Sequence, residues 1–100
     1  MKFAMITPTR FDKDPSSFDR YNYDEQTKKM LIDYMESIEP NSACGHVEDC
    51  VTGIVLMDME DVGYEDGEYS WSAQGIYHLK NYNLAVYPEF IEHVKKKIGA

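Results

Sequence analysis

One hundred residues with a formal net charge of −8 make a single acidic domain, with room for one hydrophobic core and no second. A hydrophobic fraction of 43% with 13% aromatic excludes a disordered acidic tail, which would be poor in aromatic residues. The sign of the charge argues against DNA or RNA as a partner, because such a field repels phosphates.

Met1–Asp19 mixes a short apolar start (Phe3, Met5, Ile6) with Thr7-Pro8-Thr9 and Lys13-Asp14-Pro15-Ser16-Ser17. Its prolines and clustered polar residues predict an irregular arm over residues 1–20, with Phe11 and Phe18 as candidate anchors to the core. From Asn22 the pattern turns helical. Asn22 with Glu25 fits a capping box, and Met30, Leu31, Tyr34, Met35 and Ile38 make one apolar stripe that Pro40 ends. Val47, Cys50, Val51, Ile54 and Val55 then recur at i, i+3, i+4, i+7 and i+8, the spacing of a helix face. Asp61-Val62-Gly63-Tyr64 has the form of a Schellman stop, so a second helix is expected from Ala43 to Val62. The β-branched Thr52, Ile54 and Val55, with Gly53 among them, give the alternative of a strand around 50–58.

Tyr64–Trp71 reads as a loop or one short strand, alternating acids with aromatics around Gly67. Ser72 caps a short helix over Ala73–Tyr82 that Asn83 ends. Pro88 opens a final helix whose stripe is Phe90, Ile91, Val94 and Ile98, and Lys95-Lys96-Lys97 offset the dipole at its end. The fold expected is mainly α, a bundle of about four helices with an irregular N-terminal arm, and α+β is the alternative. No stretch fits a secretory leader, a membrane span or a lipidation signal, which gives the expectation of a cytoplasmic protein with no membrane partner.

Catalytic and metal motifs are weighed next. Cys44-x-His46-x3-Cys50 has an unusual spacing for zinc and needs a distant fourth ligand such as His78. On a helix, positions 44 and 50 lie too far apart for a disulfide, so the cysteines read as free thiols without a metal. Neither Gly63 nor Gly67 aligns with the sixth position of a calcium loop. The chain contains no P-loop, no dinucleotide-binding glycine fingerprint and no nucleophile elbow. The expectation is a non-enzyme without a cofactor.

The charge is strongly polarised. Between Lys29 and Lys80 there is no lysine or arginine, yet that interval holds eleven carboxylates. Six of them (Asp58, Glu60, Asp61, Glu65, Asp66 and Glu68) fall in Asp58–Glu68, interleaved with Tyr64 and Tyr69 and followed by Trp71. Tyrosine supplies contact area at low conformational cost, and surrounding charge selects a complementary partner. Asp58, Glu60, Asp61, Tyr64, Glu65, Asp66, Glu68 and Tyr69 are therefore the candidate partner-binding residues. Tyr64 and Tyr69 are expected to be exposed, and Trp71 to lie in the core. The competing view is a solvated acidic face with no ligand.

Trp71–Lys97 (WSAQGIYHLKNYNLAVYPEFIEHVKKK), about a quarter of the chain, resembles the small acidic immunity proteins of bacterial contact-dependent growth inhibition systems. The resemblance carries no functional residues across. It implies a cytoplasmic inhibitor that binds a basic toxin domain, often a nuclease, and blocks its active site. A phage-encoded acidic mimic of nucleic acid, such as an anti-restriction or anti-CRISPR inhibitor, is the alternative in the same style.

Overall fold

The acidic middle of the chain is extended, not helical. The computed structural model describes residues 1–99, and in it the elements run β1 (Lys2–Phe3), α1 (Glu25–Ser37), β2 (Ser42–Asp49), β3 (Ile54–Glu65), β4 (Tyr69–Ser72), α2 (Ala73–Tyr82) and α3 (Pro88–Ile98). The four strands form one mixed sheet in the order β1-β4-β3-β2, with β1 parallel to β4 and the other pairs antiparallel. The fold is α+β, which corrects the expectation of a four-helix bundle.

The helix expected over Ala43–Val62 fails for a definable reason. Of its five apolar positions only Val47 and Cys50 are buried, while Val51, Ile54 and Val55 face solvent, so the helical spacing was coincidental. Gly53 takes a left-handed φ of +77° in the turn between β2 and β3, where its N–H donates to Asp49 O at 2.7 Å. Gly63 is no helix stop either. It lies within β3, where a Cβ would come within 2.7 Å of Ser42 Oγ on the neighbouring strand.

The remaining helices follow the sequence more closely. α1 is capped by Asp24, whose carboxylate accepts from Thr27 N at 2.8 Å, so the cap lies two residues beyond the expected Asn22. Ser72 caps α2 through Gly75 N at 3.3 Å, and Asn83 ends it in the left-handed conformation. Pro88 stands in the first turn of α3. Leu31 and Met35 of α1, Tyr69 and Trp71 of β4, Ile76 and Leu79 of α2, and Phe90 and Val94 of α3 meet in the core. Each such side chain contributes on the order of 1.5–3 kcal/mol by leaving water.

The N-terminal arm is tied down at both ends. Ala4 and Met5 are buried, with Ala4 N donating to Ser70 O and Tyr87 N to Ala4 O, each at 3.0 Å. At the other end, Tyr21 N donates to Asn83 O at 2.9 Å and Ala85 N to Asp19 O at 2.8 Å. Phe18 packs edge-on against His78, whereas Phe11 projects into solvent and anchors nothing.

Two buried carboxylates fix the hairpins to the helices. Asp49, at the end of β2, accepts from Val51 N and Thr52 N in the turn and from the Tyr77 and Tyr82 hydroxyls, the latter two at 2.6 Å. Asp66, in the β3–β4 turn, accepts from Glu68 N and Tyr69 N, from the Tyr34 hydroxyl of α1, and pairs with His93 Nε2 of α3 at 2.6 Å. Burial by itself would raise both carboxyls. The converging donors outweigh it and hold both well below the usual carboxylate range. A carboxyl with a lower pKa in the folded state stabilises the fold above its unfolded value of about 3.9 and loses that contribution as pH falls toward the folded value. The prediction is that stability, measured by urea unfolding across the acid range, falls steeply below pH of about 4. Asp66→Asn should lower stability near neutral pH and flatten that acid dependence; an unchanged acid slope in both Asp66→Asn and Asp49→Asn would refute the assignment.

Candidate interaction surface

β4 is short, and this exposes most of β3. β4 pairs with β3 only over Gly63–Glu65, so from Ile54 to Val62 β3 is paired with β2 alone. The two strands therefore run beyond the sheet as a ribbon, with α2 packed against it. The register is irregular within the ribbon. His46 opposes Glu60 while the next residue, Val47, opposes Leu56, so Met57, Asp58 and Met59 have no partner on β2. A second irregularity falls between Ala43 and His46, where Gly45 takes a φ of +75°.

The three-residue excursion is the most exposed apolar feature of the ribbon. Met57 is 71% exposed, and Ile54, Val55 and Met59 are exposed beside it. Single exposed apolar residues are ordinary, so four within six positions make this stretch the candidate surface. Asp58 and Glu60 are exposed in the same stretch, and neither joins an ion pair among the described residues. Methionine is flexible and polarisable, so it adapts to a partner's shape.

The eight candidate residues divide in two. Asp58, Glu60 and Glu65 are exposed and without an ion pair, while Glu68 is exposed but lies 3.8 Å from Lys97 Nζ and 3.5 Å from His93 Nδ1. The others are committed to the fold. Asp61 accepts from Gln74 N at 3.1 Å in the first turn of α2, and burial pushes its carboxyl up, partly offset by that N–H. Tyr64 is half-buried and stacks on Trp71 with 12° between the ring planes. The side chain of Asp66 is only 4% exposed. Tyr69 is likewise 4% exposed, packed on Phe90 and His93, which overturns its expected exposure. In β4, alternation sends Tyr69 and Trp71 together into the core, and Trp71 Nε1 donates to Met35 O at 3.3 Å.

Ile54, Val55, Met57 and Met59 went unrecognised as surface residues in the sequence. The signal was the alternation Met57-Asp58-Met59-Glu60, a strand pattern that the helical spacing upstream masked.

Among the described residues every buried side-chain nitrogen and oxygen has a hydrogen-bond partner. Cys44 is exposed on β2, whereas Cys50 is buried, where burial pushes its thiol up and Gln74 Nε2 lies 3.3 Å from Sγ. The separation of the two cysteines thus follows from an extended strand, not from a helix. His46 is exposed. His78 uses both ring nitrogens, on Cys50 N and Gln74 O, and His93 faces Asp66 with one and Glu68 with the other. Both nitrogens of His78 are thus engaged with backbone groups, and the ring orients its neighbours. Among the described residues no group of three or more His, Cys, Asp or Glu is placed to hold a metal ion, and no helix is long and apolar enough to cross a membrane.

No protein-family model, curated protein or solved structure matches this chain. The division of residues gives a direct prediction. Tyr69→Ala should cost about 3 kcal/mol or more of stability in urea unfolding, since it empties a packed aromatic site. Met57→Ala should stay within about 0.5 kcal/mol of the native chain. Equal losses for the two would refute the separation of core from surface.

Proposed function

We propose that this protein is a non-enzymatic inhibitor that binds a basic protein partner through the β2–β3 ribbon. The observation that carries the reading is the exposed Met57-Asp58-Met59-Glu60 run, apolar and acidic by turns, on a ribbon that extends past the sheet. Asp58, Glu60 and Glu65 meet Lys and Arg of the partner, and Met57 and Met59 supply the apolar area that water leaves on binding.

The partner class follows from the charge. A cleft that holds nucleic-acid phosphates is basic, and the exposed carboxylates of β3 occupy the same positions. The reading is thus an immunity-type protein that neutralises a nuclease toxin domain by covering its active site, in keeping with the resemblance of Trp71–Lys97. Inhibition by occlusion needs no chemistry from the inhibitor, and the engagement of His78, His93, Asp49 and Asp66 in holding the fold together fits such a role.

The test begins with recovery of a stoichiometric partner from the native host, followed by stopped-flow association with the purified pair. Asp58→Lys combined with Glu60→Lys should slow association roughly tenfold or more at low salt, while urea unfolding stays near native. Native association should slow as salt rises and the Debye length shrinks to about 8 Å. An association rate independent of salt, or an acidic partner, would sink the reading.

A further inference from the structure

The sheet has one closed edge and one open edge in the ribbon, and the difference identifies how a partner docks. β2 is the terminal strand, yet its Glu48 backbone is already taken: Glu48 N donates to Gln74 Oε1 at 2.9 Å, and Gln74 Nε2 donates to Glu48 O at 2.8 Å. Cys50 N donates to His78 Nε2 at 3.0 Å, and the irregularity at Gly45 interrupts the strand further on. Capping side chains of this kind occupy the backbone groups that an added strand would need.

β3 has an irregularity of its own at Met57–Met59, but among the described residues no side chain bonds the Val55 N–H or C=O as Gln74 bonds those of Glu48. Because the Glu48 backbone points to Gln74, Glu48 and Val55 are a non-hydrogen-bonded pair, and the Val55 N–H and C=O also point away from β2. No strand lies against that side of Ile54–Val62 among the described residues. Met57, Asp58 and Met59 lack register partners on β2 as well. An open edge bearing exposed Val55, Met57 and Met59 is a template for a further strand.

We infer that the free edge of β3 between Val55 and Glu60 accepts an extended segment of the partner protein, in which Lys or Arg alternates with apolar residues, as an added strand. This rests on the function proposed above and specifies its mode. Charge selects the occupant. A second copy of this chain would set Asp58 and Glu60 against their own counterparts, whereas alternating cations meet them with opposite charge and leave apolar residues for Met57 and Met59.

The probe is a capped synthetic peptide of alternating Lys and Val, about ten residues long to match a strand. It is titrated into the full ¹⁵N-labelled chain, beside the same peptide methylated at every backbone nitrogen. The methylated form keeps the charges and side chains but cannot donate to a ladder. The expected result is slowed amide exchange at Val55, resonance shifts confined to residues 54–60 and their neighbours, and binding weakened roughly tenfold or more by methylation. Equal binding of both peptides overturns strand addition while leaving the acidic surface as the binding site. Protection of residues 54–60 without peptide, with dimers in sedimentation, also overturns it and assigns the edge to a second copy. Saturable binding elsewhere, or none, overturns it too. If the Asp58→Lys, Glu60→Lys chain binds the unmethylated peptide as well as the native chain does, the charge-based function fails and takes this occupant with it.

Discussion

The Asp66 carboxylate holds together three parts of the molecule that share no backbone hydrogen bonds. It bonds the two N–H groups that shape the β3–β4 turn, the Tyr34 hydroxyl from α1, and the His93 ring from α3. Burying a carboxylate costs several kcal/mol, and only a full set of donors offsets that. The fold supplies four, so the turn, the first helix and the last helix are fixed by one group. Removing it would leave a buried phenol and imidazole without their acceptor, which is costlier than losing the attraction alone. The aromatic cluster of Tyr34, Tyr69, Trp71, Phe90 and His93 is organised around this point, with ring centroids 4.6–6.4 Å apart.

Asp49 repeats the arrangement at the other hairpin, joining the β2–β3 turn to Tyr77 and Tyr82 of α2. With Asp61 of β3, which accepts from the first turn of α2, three acids of the central interval serve the interior. The net charge of the interval therefore overstates what a partner would meet. The outer acids differ in kind. Glu36 pairs with Lys80 and Glu68 lies near Lys97, exposed contacts of the sort that contribute between about 0 and 1 kcal/mol. Asp58, Glu60 and Glu65 have no such neighbour, and their charge is directed outward.

The ribbon and the clasps belong to one design. Asp49 and Gln74 hold the turn end of the ribbon to α2, so β3 can stay long and partly unpaired without fraying. The same Gln74 amide that fixes the ribbon also closes the β2 edge, which leaves β3 as the side open to a strand. Stability and the choice of docking edge thus share a residue.

The local signals of the sequence were sufficient where structure depends on neighbours along the chain. The α1 stripe, the Ser72 cap, the Asn83 stop and the Pro88 start are all short-range, governed by backbone geometry and by one face meeting the core. The charge polarity and the core placement of Trp71 were legible for similar reasons. The middle of the chain was decided by tertiary structure. Val47, Cys50, Val51, Ile54 and Val55 fit a helix face by spacing, but whether such residues form a helix or a hairpin depends on what buries them. Here β3 pairs with β4 and β2 packs on α2, both established by residues distant in sequence. What the sequence does not carry is that Asp66, and not Glu65, meets donors from two helices. A carboxylate becomes a clasp only when the fold brings Tyr34 and His93 to it from 32 and 27 residues away.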